Sequence, residues 1–175
     1  VESGPDGPEL RLDITDPRRR ESQYRLVPDH GKMLHQFLVS DEAGMGTGIP
    51  TFVHLHPVKR GTSDYAAALP PVPAGTYRVF TDLTHESGST QTLTNSVVIP
   101  AGLAVGRPSD PDDSVAPAAV SPGNPAPTGD GLMIEFSPGV IRQGDVSVLR
   151  FRVRGADGSP AILEPILRML GHAVV

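Results

Sequence analysis

Apolar and polar residues alternate along Leu10-Arg11-Leu12-Asp13-Ile14-Thr15, the period-two pattern of a half-buried strand, and Asp16-Pro17 closes it. The same period predicts strands over residues 32–39 and 52–56, the second stopped by Pro57, with a glycine-bearing loop over 41–50 between them. Residues 64–69 suit a strand or, through their alanines, a helix, and Pro70-Pro71-Val72-Pro73 ends either one. Residues 75–82 are rich in aromatic and β-branched side chains and read as a strand. Residues 90–99 read as its hairpin partner across His85-Glu86-Ser87-Gly88. Short strands at regular spacing with turn signals between them predict an all-β, immunoglobulin-like antiparallel sandwich over residues 8–100. Helix is expected only as a short turn near 66–69 or 162–168.

The pattern changes at residue 101. Residues 101–130 are dominated by proline, alanine and glycine with almost no large apolar side chains, so they are expected to form a linker. Alternation resumes over 132–136 and 146–154. The order of elements then repeats the start of the chain: residues 149–153 resemble 10–14, and Pro165 precedes His172 by seven residues, as Pro28 precedes His35. Residues 131–175 therefore read as a partial second copy of the sandwich, truncated before its own His-Leu-His strand.

Composition narrows the picture. The 175 residues hold 19 glycines and 19 prolines, too many for long helices and ordinary for short strands and turns. A net charge of −5 argues against nucleic acid as a partner, and Arg18-Arg19-Arg20 is too short a basic run to reverse that. No apolar stretch reaches the ~20 residues of a transmembrane segment. The lack of cysteine excludes disulfides, thiolate nucleophiles and thiolate metal ligands. Because Val1 is not an initiator methionine, a leader or anchor upstream is an expectation.

The candidate chemistry lies in Thr51-Phe52-Val53-His54-Leu55-His56-Pro57. Residues i and i+2 of a strand share a face, so His54 and His56 stand side by side, and a neighbouring strand brings His35. Three imidazoles form a plausible shell for copper or zinc; the same three rings could instead be internal hydrogen-bonders with no metal. Met33 shares the face of His35 as a soft ligand or as packing. His30 and His85 sit in expected turns, Asp82 either orients a histidine or caps a turn, and His172 lacks a His-Leu-His partner. Nothing supports an enzyme. There is no Gly-x-Ser-x-Gly elbow, and Ser40-Asp41 beside His35 makes no triad from sequence alone. Gly44-Met45-Gly46-Thr47-Gly48 lacks the lysine and helix of a phosphate loop, and Asp112-Asp113 falls in the linker, where no cleft is expected.

Several blocks together resemble an uncharacterised family of bacterial secreted or membrane-anchored proteins. They are Gly31-Lys32-Met33-Leu34-His35-Gln36-Phe37-Leu38-Val39, then Phe52 through Pro57, then Pro73-Ala74-Gly75-Thr76-Tyr77-Arg78-Val79-Phe80-Thr81-Asp82. Asp110-Pro111-Asp112-Asp113-Ser114 and Glu164-Pro165 with Gly171-His172-Ala173-Val174-Val175 continue the match. The resemblance implies tandem immunoglobulin-like modules outside the cytoplasm, in the periplasm or secreted, and no settled activity. In general plan the chain is similar to small copper-handling sandwiches of bacterial envelopes. The expectation is an extracytoplasmic module that holds or buffers copper or zinc through His54, His56 and His35. The alternative is a structural module that presents a surface to an envelope protein partner.

Overall fold

In the computed structural model, which describes residues 1–4, 7–15, 25–41, 50–104, 106–116, 124–128 and 130–165, the alternating segments become strands and no helix forms among the described residues. The chain divides into two units, Val1–Ala118 and Ala119–Val175. The first holds β1 (Glu2–Gly4), β2 (Gly7–Asp13), β3 (Leu26–Val27), β4 (His35–Ser40) and β5 (Phe52–Leu55). It continues with β6 (Val58–Lys59), β7 (Asp64–Ala68), β8 (Gly75–His85), β9 (Thr90–Ile99) and β10 (Ser114–Ala116). One sheet runs β1-β2-β7-β6; the other runs β10-β5-β4-β8-β3, with β9 added to β8. The pairings between these strands are antiparallel.

The two sheets pack through one apolar core. Leu10, Ala67 and Leu69 come from the side of the first sheet, and Leu38, Val53, Leu55, Tyr77, Val79 and Ile99 from the second. Leu38, Val53 and Leu55 have no exposed surface, and each such side chain contributes about 1.5–3 kcal/mol by leaving water. A smaller cluster of Leu34, Tyr65 and Leu83 continues the core, with Met33 packed against it. Residues 64–69, ambiguous in sequence, are extended: Ala66, Ala67 and Ala68 are buried, where a pleated layer of small side chains fits and helix propensity is overridden.

β4 is buried on both faces, from His35 to Leu38. Gln36 and Leu38 lie opposite Leu55 and Val53 on the core face, while Phe37 lies opposite His54 on the other. That outer face carries a stacked layer of its own, Phe37 standing 5.8 Å from Phe52 and 4.6 Å from His54 between ring centres. Within the expected linker the structure differs from the compositional reading. β10 pairs with β5, Val115 packs on the core, and Ala68 N–H donates to Ser109 Oγ at 2.7 Å. A Cβ on Gly106 would stand 2.9 Å from the Leu69 carbonyl oxygen, so only glycine passes there. Polar anchors hold this strap where large apolar side chains are few.

The second unit is described as one three-stranded antiparallel sheet of β11 (Ala126–Pro127), β12 (Met133–Pro138) and β13 (Leu149–Arg154), with Phe136 stacked on Phe151 at 4.9 Å. Residues 162–165 form no helix, and neither do 66–69. Arg18-Arg19-Arg20, the glycine loop of 42–49 and the repeated block at 169–175 with His172 lie outside the described residues.

Candidate metal centre

Strand register builds the site. β4 and β5 pair Gln36 with Leu55 and Phe37 with His54, and continuing that ladder by one residue sets His35 beside His56. The i, i+2 relation then aligns His54 with His56, their ring centres 4.4 Å apart. His35 lies 5.6 Å from His54 and 5.2 Å from His56 between ring centres. One ligand nitrogen from each of the three falls within 4.8 Å of the other two. His35 and His56 are buried and His54 is half-buried, so the cluster is reached from the His54 side.

Outer partners decide which nitrogen carries a lone pair. A carbonyl only accepts, so His35 Nε2–H donates to the Asp29 carbonyl at 3.1 Å and Nδ1 is left as acceptor. His54 Nε2 lies 3.3 Å from that Nδ1 and is its donor when no ion is bound. His56 Nδ1–H donates to Asp113 Oδ1 at 3.1 Å, which leaves Nε2 as the lone-pair nitrogen.

Two local structures hold those partners in place. Asp29-His30-Gly31-Lys32 closes on itself with Asp29 N–H to Lys32 O at 2.9 Å and Lys32 N–H to Asp29 O at 3.0 Å. Positive φ at both His30 (49°) and Gly31 (79°) is the mark of a two-residue type I′ turn. The Asp29 carbonyl thus serves the turn and His35 together. The second structure is the turn Asp110-Pro111-Asp112-Asp113. The Asp113 carboxylate, 3% exposed, also accepts the His56 backbone N–H at 2.7 Å and the Asp110 backbone N–H at 3.2 Å. Lys32 Nζ reaches both Asp110 oxygens at 2.6 Å and Asp112 at 2.9 Å. Burial works against ionisation of Asp110. The Lys32 ammonium, the Asp112 backbone N–H and the nearby His56 ring outweigh it, holding that carboxyl below its ordinary value.

His56, Asp110 and Asp113 form a second group of ligand-type atoms within 4.8 Å. Its carboxylates already take their hydrogen bonds from N–H groups and from Lys32, so they act as supports for His56. The remaining candidates fall elsewhere. Met33 belongs to the packing, and the Asp82 carboxylate, though opposite His35 in the ladder, accepts from Thr92 Oγ1. His85, expected in a turn, is instead buried at the end of β8 beside Gln91. His30 stands edge-on to His35 at 6.3 Å. Asp113 was out of reach of the sequence reading, which set Asp112-Asp113 in a linker without a cleft. The carboxylates clustered at 110–113 within an otherwise apolar-poor stretch were the available signal.

No family model matches the chain, and no curated protein or solved structure matches it.

Proposed function

We propose that the first unit is an immunoglobulin-like module of the cell envelope or exterior that holds a transition metal ion through His35, His54 and His56. The observation that carries this is the convergence of three imidazoles, two of them with their second nitrogen engaged by an outer acceptor. Histidine ligands in metal sites are typically oriented that way, by a carboxylate or a carbonyl on the far ring nitrogen. The 3.3 Å between His35 Nδ1 and His54 Nε2 equals the separation of two nitrogens on one tetrahedral ion at bonds of about 2.0 Å. Binding asks His54 to move its proton to Nδ1 and His56 to close in by a small ring rotation. Among divalent ions an all-imidazole set favours copper most, followed by its neighbours in the stability order. The module carries or buffers the ion, and no reaction is assigned to it.

The immunoglobulin-like reading rests on strand order. β1-β2-β7-β6 facing β9-β8-β4-β5 follows the A-B-E-D and G-F-C-C′ order of that fold. Tyr77 Oη–H donates to the Pro73 carbonyl at 2.9 Å near the start of β8, where the fold has its tyrosine corner. Envelope placement is supported by the resemblance of the sequence blocks to secreted proteins.

Titration of the full chain with Cu²⁺ and with Zn²⁺, beside His54→Ala/His56→Ala, tests the reading. The expected result is one equivalent bound by the parent and none by the double variant. Equal binding would favour the second reading, a structural module whose histidines serve as internal hydrogen-bonders, for which the bonds of His35 to His54 and Asp29 and of His56 to Asp113 already speak.

A further inference from the structure

Among the described residues, the sheet edges of both units are short or charged, with one exception. β6 and β3 have two residues each, the first containing Lys59 and the second lying between Arg25 and Pro28. β1 and β10 have three, β11 ends in Pro127, and β13 carries Arg150, Arg152 and Arg154. These are the usual devices against edge-to-edge pairing. β9 has none of them. It runs ten residues, Thr-Gln-Thr-Leu-Thr-Asn-Ser-Val-Val-Ile, without charge, proline or glycine, and among the described residues β8 is its one partner. Ten registered pairs from Gly75↔Ile99 to Thr84↔Thr90 keep it extended, so its other edge presents a row of N–H and C=O groups, in which Asn95 Oδ1 accepts the Ser96 N–H at 2.8 Å until a partner strand replaces it.

We propose that this edge pairs with β9 of a second copy of the chain, antiparallel about a two-fold axis that runs between the two Asn95 residues. A two-fold normal to the sheet pairs residues of equal parity, so each face of one copy continues into the same face of the other. Centred on Asn95, that register sets half-buried Leu93 opposite Val97 on the core side, and Thr94 opposite Ser96 on the outer side. Apolar meets apolar and hydroxyl meets hydroxyl, the favourable cross-strand combinations, and Asn95 meets its own amide. Self-complementarity selects the occupant: β9 carries no charge along its ten residues, so a copy of itself brings none to repel. The six-stranded sheet then runs continuously through both copies.

The test is the mass of the full chain in solution, by sedimentation and light scattering, from micromolar to submillimolar concentration with EDTA present, so that metal plays no part. The expected result is a mass twice that of the 18.5 kDa chain. Asn95→Lys, which sets two ammonium groups against each other at the axis, should return the single-chain mass with an unchanged circular dichroism spectrum. Because the chain has no cysteine, Asn95→Cys should oxidise to a covalent dimer while Glu86→Cys, in the turn before β9, should not. This pair decides the matter if the lysine variant does not fold. A single-chain mass throughout the range, a dimer that survives Asn95→Lys, or equal cross-linking of the two cysteine variants would overturn the proposal.

Discussion

The carboxylate of Asp113 accepts three N–H groups at once: two from His56 and one from Asp110. Asp113→Asn replaces one acceptor oxygen with a donor facing a donor. It should cost about 1–3 kcal/mol of stability, read by chemical denaturation. Because the His56 tautomer then loses its hold, copper affinity should fall about 10–100-fold in a calorimetric titration with stoichiometry unchanged. The histidines were legible in the sequence because spacing within one strand and proximity of the next are local facts. Asp113 was not, since 57 residues separate it from His56 and the carboxylates clustered at 110–113 do not say which strand they meet. His85 misled for a related reason: it stands beside turn residues in sequence, yet β8 runs on to include it and buries its ring.

At the scale of the element, strands declared themselves wherever apolar residues alternated, and resisted where one face or both were unusual. β7 is built of alanines buried on either side, and its extended state comes from β2 and β6 rather than from its own preferences. β10 has too few residues to show a period and exists because β5 offers it an edge. β8 is fixed at its start by Tyr77, whose phenol is pushed up by burial against the opposing contact with Thr51. The Lys32 ammonium is likewise raised, by its hydrogen bond to Asp110 acting against burial. A group that binds its proton more tightly when folded adds stability that is complete below its unfolded pKa and is lost as pH rises through the folded one. The stability these two groups add should therefore hold level up to about pH 10 and fall above it. Tyr77→Phe should lower the plateau by about 0.5–1.5 kcal/mol and make the alkaline fall shallower, both read from denaturant midpoints across pH.

At the scale of the molecule, the boundary that matters for the site is not the one that composition draws. A chain ending at residue 100 keeps the three histidines but loses β10 and the Asp110–Asp113 turn; one ending at 118 keeps the whole first unit. The longer fragment should unfold cooperatively and bind copper like the full chain, and the shorter should bind about 10–100-fold more weakly, as titrations of the two will show. On the proposed metal-holding reading, the turn also sets the charge that an ion would meet. Asp110 and Asp113 lie against His56 and, with Asp112 and Lys32 bonded to Asp110, carry a formal charge of −2, from three negative groups and one positive. A divalent ion on neutral imidazoles brings that neighbourhood to electroneutrality, whereas a monovalent one leaves it half compensated. On that reading the cluster serves as the counter-ion to a charge of two. Occupancy should then be visible without any spectroscopic probe, as a band that focuses at higher pH than the metal-free chain.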